Sequence, residues 1–167
     1  MNRVNELTRE VYLVQNPAIG AAIIWSFVCG YYDNDNESQQ TPFPLLFVVL
    51  PIIFREDLRS IIDSTNKNSG LQKISEKLFK DKKIDLLSSI HHSAEQYKDT
   101  TLSAINIAVG TNLIHVFSET ALVIPVQATP SKWQKPSENL LKASYKLGVW
   151  CSKLSLHEVS ILLKVRF

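Results

Sequence analysis

The chain has 167 residues, of which 45% are hydrophobic and 20% charged, and its net charge is +2. This length and ordinary globular composition predict a single domain over residues 1–167, with enough apolar side chains to bury a core. A net charge so close to zero neither requires nor excludes a nucleic-acid partner.

Two apolar segments, 18–29 and 43–54, raise the question of whether the chain crosses a membrane. Each has about a dozen residues, whereas a spanning helix needs roughly 20. Residues 1–10 are polar and lack the basic-then-apolar order of a signal peptide. We therefore expect a cytoplasmic protein without a membrane span, in which both segments are buried core elements.

The first third of the chain predicts one central helix and one buried strand. Asn16 and Pro17 favour a helix start, because Asn caps free amides and Pro lacks the amide that would be unpaired there. The helix is apolar on nearly every side, which is typical of a central position, and Gly30 is its expected end. A polar loop is expected over residues 33–41. Residues 45–50 are apolar, β-favouring and bounded by prolines, which predicts a strand buried on both faces.

The middle of the chain predicts helices followed by a β-hairpin. Apolar residues keep helical spacing after Arg55, over 71–78, and from 84 to Gly110, with a break expected around 98–101. Residues 113–117 and 121–126 then flank a short polar turn, which is typical of a hairpin. Pro125 favours an edge position for the second strand, because proline cannot donate to a ladder.

The last part of the chain predicts a connector and two more helices. The connector covers residues 129–136 and contains two prolines and Trp133. Ser137 can cap the helix that follows, and Ser155 with Glu158 predicts a capping box at the start of the final helix. We predict an α+β fold, mainly helical, with a central winged-helix-like unit made of the short buried strand and the hairpin.

The sequence shows no pattern that predicts catalysis, a metal site or a bound cofactor. Cys29 and Cys151 lie in apolar runs and are expected to be buried and reduced. His91 and His92 are adjacent on a predicted helix and point in different directions, which favours a surface pair over two ligands of one metal ion. The glycines are scattered singly, without a phosphate-binding loop. We therefore expect a protein that is not an enzyme.

The basic segment from residue 67 to residue 83 is the best candidate for contact with DNA. Lysine side chains on one helix can contact phosphates and release counterions. Glu76 and Asp81 interrupt the segment, so a solvated helix face with spaced opposite charges is the competing interpretation. The candidate DNA-binding residues are Lys73, Lys77, Lys80, Lys82 and Lys83.

Two tryptophans and the last two residues are candidate partner contacts. Trp133 lies in the proline-bearing connector, where it is either a plug beneath the connector or an interface anchor. Trp150 lies late in an amphipathic helix and is expected in the core, with partner contact as the alternative. Arg166 and Phe167 complete the candidate set.

Several separated blocks resemble the middle component of three-component ABC ATPase systems. The opening blocks are NPAIGA at 16–21, Trp25 to Tyr31, and PLLFVVLP at 44–51. The ending blocks are LGVW at 147–150 and LKVRF at 163–167. Lys164 stands where that family usually has glycine, and Phe167 where it usually has proline.

This resemblance implies an adaptor in a bacterial anti-phage or anti-plasmid defence complex of the Lamassu type. In such systems a large SMC-like ABC ATPase senses aberrant DNA, a separate effector, often a nuclease, does the damage, and the middle component joins them. The resemblance transfers no catalytic residue to this chain. A winged-helix DNA-binding regulator that acts alone is the alternative hypothesis.

Overall fold

The computed structural model describes residues 16–33, 38–80, 84–129 and 137–167, and these form the predicted α+β fold. The helices are α1 (Pro17–Tyr32), α2 (Leu46–Ile53), α3 (Glu56–Asp63), α4 (Gly70–Lys80), α5 (Ile84–Gln96), α6 (Lys98–Gly110), α7 (Glu138–Cys151) and α8 (Leu156–Leu163). The strands are β1 (Thr41–Pro42), β2 (Ile114–Phe117) and β3 (Leu122–Pro125). Short 3-10 turns cover Phe43–Leu45 and Lys67–Ser69.

Helix α1 begins where the sequence predicts and lies at the centre of the structure. The Asn16 side chain accepts a hydrogen bond from the Ala18 amide at 3.0 Å, which satisfies one of the free amides of the first turn. Most residues of the helix are buried, in agreement with its apolar circumference. The predicted end at Gly30 is wrong, because the helix continues through Gly30 to Tyr32.

The strand predicted over residues 45–50 is wrong, because this segment is helical. A 3-10 turn leads into α2, and seven of the eight residues of α2 are buried. Burial was therefore predicted correctly for every residue of 45–50 except the half-buried Phe47. A continuous apolar run, however, has no alternation that separates a buried strand from a buried helix. Pro51 lies inside α2, where it lacks the amide that would bond to the Phe47 carbonyl.

The hairpin is confirmed, and a short third strand extends it. The three strands are antiparallel in the order β1-β3-β2. Strand β1 comes from the end of the predicted polar loop, with Thr41 opposite Val123. The prediction that Pro125 lies in an edge strand is wrong, because β3 is central. Strand β1 is nevertheless only two residues long and does not reach Pro125, so the missing amide disrupts no pairing with it.

The other predicted helix signals are largely confirmed. The break between α5 and α6 falls at Tyr97, one residue before the predicted interval, and α6 ends at Gly110. Helix α7 follows Ser137, although the Ser137 side chain makes no capping bond. Helix α8 has the predicted capping box, in which Ser155 and Glu158 exchange side-chain-to-backbone hydrogen bonds of 2.7 and 3.2 Å.

Helices α1 and α7 pack through an unusually close contact that the sequence analysis did not predict. The Ser26 hydroxyl donates to the Leu141 carbonyl at 2.7 Å, and the Ser144 hydroxyl donates to the Ile23 carbonyl at 2.8 Å. Each serine is followed four residues later by a glycine, so both helices carry the same small residues one turn apart. This spacing allows the two backbones to approach closely and was readable in the sequence.

No helix among the described residues combines the length and the apolar character that a bilayer crossing needs.

Candidate functional site

The polar groups that most resemble catalytic or metal-binding residues do not converge in the described part of the chain. His91 and His92 both face Glu95, at 3.7 and 3.9 Å. No cluster of three or more His, Cys, Asp or Glu side chains suited to a metal ion occurs among the described residues.

Cys29 and Cys151 are free and buried, and burial is the main factor that raises the pKa of each thiol to about 12. At neutral pH both are therefore neutral thiols, whereas a nucleophilic cysteine needs its thiolate.

The candidate DNA-binding lysines of α4 are partly engaged by the fold. Lys73 Nζ lies 3.0 Å from Glu76 Oε2, and its hydrogen bond and charge lower the pKa of that carboxyl. Lys77 Nζ donates to Thr65 Oγ1 at 2.8 Å and to the Ser64 carbonyl at 3.3 Å, just beyond the end of α3. Lys80 is exposed. The remaining two candidates, Lys82 and Lys83, lie outside the described residues.

Lys146 of α7 caps the carboxyl-terminal end of α3, a role that the sequence did not reveal. Its ammonium donates to the carbonyls of Ile62 at 3.0 Å, Asp63 at 3.3 Å and Thr65 at 3.0 Å. The same ammonium lies 5.8 Å from the ring centroid of Trp150. A cation placed on the last carbonyls of a helix satisfies their lone pairs and opposes the negative end of the helix dipole. Lys146 is therefore a structural lysine.

Trp150 lies in the core, as the first of its two interpretations predicted. Its side chain has no exposed surface, and its indole Nε1 donates to the Lys67 carbonyl at 2.7 Å. A partner cannot contact a side chain that is fully covered, so we do not propose Trp150 further as a partner contact. Trp133 lies outside the described residues, and its partner contact stays a prediction.

The segment after α8 turns sharply and presents the last two residues at the surface. Lys164 adopts a left-handed backbone with φ 52° and ψ 40°, and the Val165 amide donates to the Ser160 carbonyl at 3.1 Å. This is the conformation that glycine favours at the end of a helix, so the turn forms although the chain has lysine there. Val165 is buried and anchors the segment, whereas Arg166 and Phe167 are exposed.

Arg166 and Phe167 line a surface groove, which we call the aromatic groove. Its lining residues are Phe43, Pro44, Phe47, Lys98, Arg166 and Phe167.

The wall of the aromatic groove is held in place by the hairpin. The rings of Phe43 and Phe47 meet edge to face, with centroids 5.7 Å apart and an angle of 72° between their planes. The Phe43 amide donates to the Ala121 carbonyl at 2.8 Å, at the end of the hairpin turn. The lining residues of the groove come from the 3-10 turn before α2, from α2 itself, from the first residue of α6 and from the segment after α8.

The aromatic groove was only half predictable from the sequence. The sequence predicts partner contacts at Arg166 and Phe167 but places Phe43 and Phe47 in a buried segment. Their spacing of four residues places them on one face of the helical turn, next to each other. The spacing of four residues is informative only if residues 43–47 are helical. On the extended backbone of a strand, Phe43 and Phe47 would lie four positions apart and would not meet.

The comparison with known protein families gives a match over nearly the whole chain. Residues 4–167 match the family described as ABC-three component (ABC-3C) system Middle Component 3. No curated protein and no solved structure gave a match. The family match covers nearly the whole chain and confirms the family resemblance seen in the separated sequence blocks. The chain belongs to the Middle Component 3 family of ABC-three component systems.

Proposed function

We propose that this chain is a non-catalytic adaptor that joins the ABC ATPase of a three-component system to its effector. Membership of a middle-component family supports partnership with the other components. The observation that carries the proposal is the aromatic groove. It presents Phe167 with 44% of its surface exposed, beside the half-buried rings of Phe43 and Phe47. Aromatic side chains and arginine are enriched at protein interfaces, where they provide most of the binding energy.

We further propose that the system is a Lamassu-type cytoplasmic defence complex directed against phages or plasmids. The ATPase is then an SMC-like protein that engages DNA, and the effector is a nuclease. The adaptor keeps the nuclease inactive until the ATPase has bound ATP and DNA. Such control needs an interface with two arrangements, of which nucleotide and DNA binding favour one.

Reconstitution with the ATPase and the effector of the same three-component system tests the adaptor proposal. We expect a stable complex of all three proteins, and nuclease activity that responds to DNA and ATP when all three are present. The ATPase and effector should not assemble without this chain. Assembly and normal DNA-dependent activation in its absence would contradict the adaptor role.

We also propose that lysines of α4 and of the segment that follows it contact DNA within the assembly. Lys73 and Lys80 are exposed, and Lys82 and Lys83 follow closely in the sequence. Lys77 contributes less, because its ammonium already bonds to residues after α3.

Charge reversal at Lys80, Lys82 and Lys83 tests this proposal. It should weaken DNA binding by the assembly and reduce the slope of log affinity against log salt concentration by about one per lost phosphate contact. Lys142→Glu on α7 is the control, and unchanged DNA affinity at low salt would contradict the proposal.

The geometry favours the adaptor over a winged-helix regulator that acts alone. The hairpin that would serve as the wing carries Glu119 at its exposed turn. A carboxylate at the tip of a wing repels the phosphates that a wing contacts. A salt-sensitive DNA complex of the isolated chain would nevertheless support the regulator.

A further inference from the structure

We propose that the aromatic groove binds a hydrophobic peptide segment flanked by carboxylates, supplied by the ATPase or the effector. The inference rests on the proposed adaptor function and deepens it, since it assigns a surface and a chemical class of ligand. Its basis is the combination of an apolar lining with two cations that pair with no carboxylate among the described residues.

The charges of the groove favour an acidic ligand. Among the described side chains that line it, Lys98 and Arg166 are cations and none carries a carboxylate. Both cations are exposed, and neither forms an ion pair or hydrogen bond with another described residue. Lys73 and Lys142, by contrast, pair with Glu76 and Glu138 on their own helices. An arginine can bind a carboxylate through two parallel hydrogen bonds, which adds geometric specificity to attraction.

The position of Lys98 strengthens this charge preference. Lys98 is the first residue of α6, a helix of 13 residues. The amino-terminal end of a helix carries the positive end of its dipole, which adds to the Lys98 charge and is partly offset by Asp99 in the same turn. The groove therefore offers an anionic ligand two separate cations, one at a helix start and one beside Phe167.

The apolar part of the groove selects a hydrophobic side chain between the carboxylates. Phe43, Pro44 and Phe47 are half-buried, and the exposed ring of Phe167 completes the lining. A partner side chain that enters this space removes apolar surface from water on both molecules, which favours association. An acidic segment without an apolar residue would gain only the screened attraction of two exposed cations.

The arrangement of the rings favours a peptide over single-stranded nucleic acid. Grooves that bind single strands present aromatic faces on which successive bases stack, along a track of positive charge. Phe43 and Phe47 instead meet edge to face at 72°, so their two faces are not parallel platforms. Two cations are also few for a track along several phosphates. We therefore assign the groove to a protein segment.

Binding measurements on charge and aromatic variants test the assignment. The test pair is Lys98→Glu with Arg166→Glu, and its matched control is Lys153→Glu, an exposed lysine on the surface before α8. Phe167→Ala has Ile161→Ala as its control, because Ile161 is 60% exposed and does not line the groove. We expect at least a tenfold loss of affinity for one other component in the groove variants, and no loss in either control.

A crosslinking experiment identifies the bound segment. The photoreactive residue p-benzoylphenylalanine is placed at position 167, and the reconstituted three-component complex is irradiated and analysed by mass spectrometry. The expected crosslink joins the groove to an apolar residue flanked by Asp or Glu. Replacing those acids with lysine should weaken binding to the wild-type chain and restore binding to the double charge-reversal variant. A crosslink to DNA, or to a segment without acids, would overturn the assignment.

The outcomes separate this inference from the adaptor proposal. If the three proteins assemble and all groove variants bind with wild-type affinity, the groove assignment is wrong and the adaptor function stands. If the wild-type chain binds neither component, the adaptor function itself fails. Circular dichroism and thermal unfolding of every variant show whether a lost interaction comes from lost folding.

Discussion

Gly30 of α1 lies against the backbone carbonyl of Tyr145 on α7, so close that a Cβ atom at position 30 would overlap that oxygen. Gly148 of α7 has the same relation to the carbonyl of Phe27 on α1. Neither contact can be relieved by rotating a side chain, because the opposing atoms belong to the backbone. The separation of the two central helices is therefore set by the absence of two side chains.

Gly30→Ala should destabilise the protein by about 1–3 kcal/mol or more, because α1 and α7 must move apart to accommodate one methyl group. Urea denaturation of the purified chain measures this free energy of unfolding. Gly110→Ala is the control, since a Cβ there meets no atom of another described element within 4 Å. Alanine at the end of α6 should be neutral or stabilising by about 0.5–1 kcal/mol. Equal stabilities for the two variants would show that the close crossing is not rigid.

Lys146→Met should destabilise the protein by about 1–3 kcal/mol, because three carbonyls around the end of α3 lose a charged donor. The loss of the cation beside the Trp150 ring adds to the effect. Lys142→Met, one turn earlier on α7, removes an exposed ion pair with Glu138 and should cost less than about 0.5 kcal/mol. Thermal unfolding of both variants in one buffer provides the comparison. A larger effect at position 142 would contradict the structural role of Lys146.

Lys164→Gly should stabilise the protein by about 0.5–1 kcal/mol. A left-handed backbone costs a side-chain-bearing residue about 1–2 kcal/mol, and glycine removes this cost. The gain is reduced because the Lys164 ammonium, 5.7 Å from the Phe79 ring centroid, is lost. Lys164→Ala is the informative comparison, since it loses the same ammonium and keeps the strained backbone. A glycine variant no more stable than the alanine variant would argue against strain at this turn.

Stability should fall at alkaline pH through the two buried thiols. Burial raises the pKa of Cys29 and Cys151 from 9.0 to about 12, so the folded protein holds their protons more tightly than the unfolded chain does. Their contribution is complete below about pH 9 and is lost as the pH rises toward 12, by about 1.4 kcal/mol per pH unit for each thiol.

Urea denaturation under reducing conditions at about pH 8 and pH 10 measures this loss. The double variant Cys29→Ala with Cys151→Ala should lose less stability over the same interval. An identical decrease in the wild type and the double variant would assign the alkaline sensitivity to other groups.

The parts of the fold that the sequence predicted depend on interactions between near neighbours. Asn16 caps the amide two residues on, and Ser155 and Glu158 bond across three residues. Such signals are contained in a few adjacent positions, so one sequence is enough to find them. The hairpin was predicted for the same reason, because its two apolar runs are separated by one short polar turn.

The parts that were missed depend on residues far apart in the chain. The helical state of residues 46–53 is decided by surroundings on every side, and the apolar run itself does not distinguish helix from strand. Lys146 reaches carbonyls more than 80 positions earlier, and no spacing rule connects them. The aromatic groove likewise joins Phe43 to Phe167, so only half of it could be named in advance.

The hydrogen bond from the Phe43 amide to the Ala121 carbonyl connects the wall of the aromatic groove to the turn of the hairpin. After the hairpin, the Gln127 carbonyl accepts a hydrogen bond from the Trp25 indole at 2.9 Å. This bond holds the segment that follows β3 against α1. A ligand that displaced Phe43 would stretch or break the hydrogen bond between Phe43 and Ala121. The wall of the aromatic groove and the turn of the hairpin are thus connected through the backbone of Phe43.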